Sequence, residues 1–209
     1  MSLTLYGENY WYSPYVFSAY VALTEKGVAF DTRVISLENG EHKAATFTAS
    51  ITGRVPALEH DGFWLAESSA IVEYVDETFA GPRLLPAAVR DRARARQLMA
   101  FVRSDLMALR EERSTATMFY QRATSPLSPS GQAAADKLLA VADRVVRGTQ
   151  LFDAWSIADA DLAFALQRLV LNGHDVPAKL GAFAAANWAR PSVRAFVEHE
   201  RPGTPPRPY

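Results

Sequence analysis

The sequence predicts an α/β domain followed by an all-helical domain. Three observations carry that expectation. Strand-like and helix-like segments alternate as β-α-β-α-β-β-α up to about residue 80. A Pro/Gly-rich junction, Ala80-Gly81-Pro82 to Pro86, then interrupts the pattern, and beyond it only helical spacing appears. The expected division is therefore 1–80 for the first domain, 81–87 for a linker and 88–209 for the helical domain.

Leu3 to Tyr6 alternates apolar and polar residues and reads as a strand, and the aromatic-rich stretch Gly7 to Tyr12 reads as a loop. Ser13-Pro14 is a helix start, with serine as N-cap and proline at the first helical position. Val16, Ala19, Tyr20 and Leu23 form the apolar face of this helix, and Gly27 ends it. Phe30 to Leu37 reads as a second strand, Asn39-Gly40 as a turn, and Glu41 to Phe47 as a short helix. Val55 to Glu59 and Phe63 to Ala66 are two strands joined by the hairpin turn around Asp61-Gly62. Pro56 cannot donate to a ladder, so it is expected at a strand's first residue, on an edge, with a cis peptide bond before it as an option; such an edge strand leaves backbone groups of Val55 free. Glu67-Ser68-Ser69 opens the next helix, with Ile71, Val72 and Val75 on its apolar face. A right-handed crossover makes the first two strands parallel, and the whole order is that of a thioredoxin-like domain.

In the second half, Ala87 to Tyr120 reads as one long helix, broken by Ser125-Pro126-Leu127-Ser128-Pro129, and Gly131 to Arg147 as the next. Ser156-Ile157-Ala158-Asp159 is a capping box with Asp in the usual Glu position, and it opens the helix Ala160 to Leu171. Pro177 to Asn187 and Pro191 to His199 are two shorter helices, and the proline-rich stretch Arg201 to Tyr209 reads as a loose tail.

Composition narrows the function. The net charge of −1 gives no electrostatic footprint for nucleic acid or an anionic membrane. There is neither an apolar run of membrane-spanning length nor a basic, then apolar, N-terminal leader, so a cytoplasmic protein is expected. With no cysteine among 209 residues, disulfides, thiolate metal sites and a sulfur nucleophile on the protein are excluded. Any thiol chemistry must use a thiol carried by the ligand. The four histidines, His42, His60, His174 and His199, have no zinc-type spacing, so no metal is expected.

The segment Gly53 to Ile71 suggests what that ligand is. An exposed backbone at Val55 can pair with an extended peptide, while the Glu67-Ser68 helix start favours a carboxylate. Together they suit a small charged peptide. Arg-Val-Pro-Ala-Leu, a hairpin, then Glu-Ser-Ser-Ala-Ile with Glu-Tyr-Val-Asp resembles the glutathione-binding segment of the soluble glutathione S-transferases. The two-domain order and the Ser156–Asp159 box extend this resemblance over nearly the whole chain. Phe-Ser-Ala-Tyr-Val-Ala-Leu-Thr-Glu-Lys-Gly after Ser13-Pro14-Tyr15-Val16, with Arg-Ala-Arg-Gln, Arg-Ser-Asp-Leu-Met and Arg-Glu-Glu-Arg, is similar to the bacterial YfcF-like group.

The resemblance implies a glutathione transferase that conjugates small electrophiles or reduces organic hydroperoxides. It implies Ser13 as the catalytic hydroxyl facing the glutathione sulfur, with Tyr10 and Tyr12 as rival donors and a simple helix cap as the alternative. It also implies Val55, following into Pro56, for the cysteinyl backbone, Glu67 and Ser68 for the γ-glutamyl end, and His42 and Lys43 for the glycyl carboxylate. His42 and Lys43 read equally well as solvated surface cations. A second-substrate pocket is expected from Tyr15, Arg103, Arg110, Arg113, Phe119 and Tyr120, the arginines sharing one helix face by their spacing of seven and three. The alternative is a solvated face salt-bridged to Asp105 and Glu112. A homodimer is implied, with the helix from Ser68 and the long helix from Ala87 as its surface and Asp105 extending to the partner's site. A zeta-type isomerase and a non-catalytic ligand-binding protein are the competing functions. Tyr12-Ser13-Pro14 departs from the Ser-Ser-Cys segment of the zeta type, and the complete thiol-peptide site argues against a mere scaffold.

Overall fold

The computed structural model describes residues 2–44, 47 and 50–203. The chain divides into two compact units. One comprises the chain through Leu84 together with Ala195–Gly203, and the other Leu85–Arg194.

The first unit is built on a four-stranded sheet in the order β2-β1-β3-β4. The strands are β1 (Leu3–Glu8), β2 (Asp31–Ile35), β3 (Ala57–His60) and β4 (Phe63–Ala66). β1 pairs parallel with β2 and antiparallel with β3, which pairs antiparallel with β4. Helix α1 (Pro14–Lys26) begins where Ser13-Pro14 predicts and ends on Gly27, whose left-handed φ of 65° suits a residue without Cβ. Asp61 and Gly62 both take positive φ (47° and 86°), which matches the twist of the hairpin they connect. α2 (Ser68–Thr78) packs against α1. Lys26, its side chain only 2% exposed, locks the two together: its Nζ lies 2.8 Å from Asp76 Oδ1 and donates to the Asp76 carbonyl.

Two expectations in this unit are corrected. β3 is an internal strand, not an edge. Val55 and Pro56, joined by a cis peptide bond, stand outside the ladder because pairing begins at Ala57. Of the expected helix Glu41 to Phe47, the structure shows one 3-10 turn at Glu41–Lys43, while residues 45 and 46 lie outside the described residues.

The second unit is helical: α3 (Val89–Ser104), α4 (Met107–Glu112), α5 (Ala116–Phe119), α6 (Pro129–Val145), α7 (Ile157–Val170), α8 (Ala178–Trp188) and α9 (Pro191–Val197), the last crossing the division between units. α7 is its core, buried from Ile157 through Leu169 and packed against α3, α6 and α8. Asp159, fully buried, accepts from Ser156 N (2.8 Å), Ser156 Oγ (2.8 Å) and Leu151 N (2.6 Å), so the capping box also holds the loop leading into the helix. Desolvation pushes its carboxyl pKa up, and those three donors pull against the rise.

The single helix expected over 87–120 is three helices. Ser104 Oγ donates back to the Ala100 carbonyl and to Asp105, while Leu106 turns inward to near-complete burial. Arg110 covers a carbonyl that the break exposes, that of Arg103, and the Arg103 side chain folds back onto the Met99 carbonyl within α3. Ser128-Pro129, read as a breaker, is the N-terminus of α6. Ser128 Oγ accepts from Gly131 N, and Glu112 bonds the Ser128 N–H and hydroxyl. Nor is Arg201 part of a loose tail. It donates to the carbonyls of Trp11, Phe196, Val197 and His199. Residues 204–209 lie outside the described residues. No helix among the described residues is long and apolar enough to cross a membrane.

Candidate active site

Strand direction brings the expected ligand-binding segments of the first unit to one end of its sheet. Tyr6, Ala57 and Ala66 are paired across three strands, so β1 and β4 end where β3 begins, and β2 runs parallel to β1. From that end the chain leaves toward Ser13 after β1, His42 and Lys43 after β2, and Glu67 after β4, while Val55 leads into β3. The aromatic cluster of Tyr6, Phe47 and Trp64 packs across the same strands.

Ser13 is the N-cap of α1. Its Oγ accepts from the N–H groups of Tyr15 and Val16, both at 3.3 Å, so the oxygen is occupied as acceptor and its proton is available to donate to an anion. The helix N-terminus adds a favourable field for negative charge. Tyr10, one rival donor, gives its hydroxyl proton to Glu38 Oε1 at 2.8 Å, and the Tyr12 ring lies 5.7 Å from that of Tyr10.

Glu67 stands at the N-cap of α2 with φ 69° and ψ 113°, and its exposed side chain makes no capping bond. A non-glycine residue held at positive φ costs about 1–3 kcal/mol, and such strain clusters where side chains must be aimed. Ser68 beside it is buried. His42 and Lys43 occupy the 3-10 turn, His42 with its Nδ1 buried and Lys43 exposed.

Sequence reasoning missed two residues at this end, Glu8 and Arg201. Glu8 Oε1 accepts from Tyr12 N (2.6 Å) and Ser13 N (2.9 Å), and the Glu8 carbonyl accepts from Trp11 N (3.3 Å). The structure carries β1 on to Glu8, two residues past the strand end that the sequence suggests, and a lone acid five residues ahead of Ser13 is the signal that the sequence offers.

Of the residues expected around a second substrate, Tyr15 lies in the first turn of α1 in the first unit. Arg103, Arg110, Arg113, Phe119 and Tyr120 lie in the second. The arginines do not share one continuous helix, because the chain breaks after Ser104 and again at Arg113. Arg103 pairs with Asp161 at 2.7 Å. Arg113, 4% exposed, donates to His174 Nε2, the Ser125 carbonyl and the Glu112 carbonyl, so its charge is committed inside its own unit. Phe119 packs near Phe164 and Trp188. Among the described residues, no group of three or more His, Cys, Asp or Glu side chains is arranged to hold a metal ion.

Two family descriptions match the chain. The glutathione S-transferase N-terminal domain matches residues 12–78, and the C-terminal domain of the same family residues 88–200. A probable glutathione S-transferase of Nicotiana tabacum is 30% identical over 157 residues, covering 74% of this chain and 66% of that protein. A probable maleylacetoacetate isomerase of Vibrio cholerae is 34% identical over 109 residues, 51% of this chain and 50% of that one. The chain therefore spans less than two thirds of the length of these curated relatives. Among solved structures, a glutathione transferase homolog from Burkholderia gl BGR1 with bound glutathione is 40% identical. It covers 95% of this chain and 97% of its own at a TM-score of 0.79. A maleylacetoacetate isomerase from Methylobacterium extorquens AM1, with malonate and glutathione bound, is 28% identical over 97% of this chain and all of its own, with a TM-score of 0.73. On these matches, together with the two-unit fold, the chain belongs to the glutathione S-transferase family.

Proposed function

We propose that this protein is a glutathione transferase in which the Ser13 hydroxyl donates a hydrogen bond to the glutathione thiolate. The observation that supports it most is the state of Ser13 Oγ. Two backbone N–H groups occupy it as acceptor, which leaves its proton for an incoming anion at a helix N-terminus. Val55, outside the ladder, meets the cysteinyl backbone. Glu67, exposed and free of any capping bond, pairs with the γ-glutamyl ammonium, and Ser68 with the adjacent carboxylate. His42 and Lys43 are assigned to the glycyl carboxylate.

The thiolate then attacks an electrophilic carbon, forming a C–S bond as the leaving group departs with its electron pair. With a hydroperoxide it attacks the O–O bond, releasing the alcohol and leaving a glutathione sulfenic acid. A second glutathione resolves that species to glutathione disulfide and water. Because the protein brings no cysteine, mixed-disulfide chemistry on the enzyme is closed. The same reading places the protein in the cytoplasm, where glutathione is kept reduced.

The isomerase-named relatives favour a second reading, a glutathione-assisted isomerase acting on a maleyl acid. Retention on a glutathione column, followed by assays with an aryl halide, an organic hydroperoxide and a maleyl acid, separates the two. Failure to bind glutathione refutes both.

A further inference from the structure

Three successive N–H groups of the loop between β1 and α1 end on one residue. Trp11 N bonds the Glu8 carbonyl, and Tyr12 N and Ser13 N both bond Glu8 Oε1 at 2.6 and 2.9 Å. Glu8 is 3% exposed, and its second oxygen, Oε2, is buried with no hydrogen-bond partner among the described residues. From the other side Arg201 Nε donates to the Trp11 carbonyl at 2.9 Å. Trp11 itself is buried at a left-handed φ of 47° between those two attachments.

A buried carboxyl group is an expensive way to tie two backbone donors. Burial drives its pKa up, against the two N–H bonds and the field of Arg201. A loop carrying only a structural turn has cheaper means, an Asn or Ser side chain among them.

We propose that Glu8 is a positioning residue for Ser13: its carboxylate fixes the loop so that the Ser13 hydroxyl is presented to a bound thiol. The inference rests on the reading of Ser13 given above. Glu8 acts through geometry: one oxygen accepts from both Tyr12 N and Ser13 N and so places the donor. Around that loop the further titratable side chains include His199, stacked on Trp11 at 4.2 Å between ring centroids, Tyr20, edge-on to Trp11, and Glu38, which accepts from the Tyr10 hydroxyl; Ile35 at the β1–β2 pairing is apolar.

The test uses two variants of the full chain. Glu8→Gln keeps an oxygen to accept both N–H groups. Glu8→Ala removes it. The readouts are the titration of bound glutathione by thiolate absorbance, and kcat separated from KM for glutathione. In Glu8→Ala, kcat is expected to fall about tenfold or more with KM for glutathione within about twofold, since a misplaced catalytic donor costs rate rather than binding. Glu8→Gln is expected to recover most of that kcat and to hold the midpoint of thiol ionisation below that of Glu8→Ala, because its amide oxygen still accepts both N–H groups and keeps the Ser13 donor in place. A Glu8→Gln enzyme no better than Glu8→Ala overturns the proposal, as does a Glu8→Ala enzyme with native kcat. If Glu8→Ala does not fold, Glu8→Asp, one methylene shorter, replaces it with the same expected loss of kcat. Absence of glutathione binding by the native protein refutes instead the assignment of function, and is seen before either variant is made.

Discussion

Replacing Ser13 with alanine removes one oxygen that has two duties, and the structure separates their sizes. As a cap, Oγ holds the N–H groups of Tyr15 and Val16, but at 3.3 Å each these are long bonds. Loss of the cap therefore costs about 0.5–1 kcal/mol of stability, the low end of the usual range. As a donor to a thiolate, the hydroxyl is worth about 1.5–3 kcal/mol, or roughly one to two pKa units of the bound thiol. A free thiol titrates near ~8.5, so such a shift makes the bound thiol substantially ionised at neutral pH. Nucleophilicity falls with pKa at a Brønsted slope of about 0.4–0.5, which returns part of that gain. Ser13→Ala should accordingly fold with a slightly lower midpoint in urea and keep its glutathione affinity. It should lose roughly ten- to a hundredfold in turnover of an aryl halide, with the pH–rate midpoint raised by about one to two units. Tyr10→Phe and Tyr12→Phe should leave that midpoint in place. A midpoint unmoved in Ser13→Ala but raised in either tyrosine variant would refute the assignment.

Glu67→Ala should weaken glutathione about ten- to a hundredfold by calorimetry, with little loss of stability because the glutamate makes no capping bond; unchanged affinity would remove it from the site. Asp159→Ala strands three buried donors and should cost about 3–5 kcal/mol in urea denaturation, against which a loss under 1 kcal/mol would count. Burial, and then the Arg113 charge, hold His174 below the usual histidine pKa, and its neutral Nε2 accepts from Arg113. The unfolded chain then takes up that proton more readily than the folded one. Its contribution to stability is full above about pH 6.5 and is lost as pH falls from there through the lower folded value, a decline that His174→Gln should flatten in denaturation series at several pH values. A homodimer is expected by light scattering at micromolar concentration, and a monomeric mass would contradict it.

Local signals were the legible ones. Ser13-Pro14 and Gly27 delimit α1 because a cap and a left-handed glycine act within their own helix. The Ser156–Asp159 box marks α7 for the same reason. Ser128-Pro129 carries the same signal as Ser13-Pro14, but its place within a proline-rich stretch made it read as a break. The single helix expected from Ala87 to Tyr120 overruns the breaks because helical spacing continues through Ser104 and Asp105. What marks the end of α3 there is Ser104 bonding back to the Ala100 carbonyl and across to Asp105, together with Arg110 from the next helix. Of the residues assigned to the candidate site, Ser13, Val55, Glu67 and Ser68 stand beside turns and helix starts that the sequence shows. Glu8 and Arg201 did not. Their meeting point at the 8–13 loop joins residues 190 positions apart, between Trp11 and Arg201, and no periodicity encodes it.

The return of residues 195–203 to the first unit bears on how the protein is made. Phe196 packs edge-on to Phe17, Trp11 and Tyr20, and His199 lies flat on Trp11. On a ribosome, the sheet and its first helices emerge well over a hundred residues before the side chains that seal their aromatic face. The nascent chain must therefore carry Trp11 and Tyr20 uncovered while the whole helical unit is synthesised. The loop bearing Ser13 gains its Arg201 attachment only when that segment clears the exit tunnel. A fragment ending near residue 84 would keep every strand of the sheet and still lack one wall of its own core.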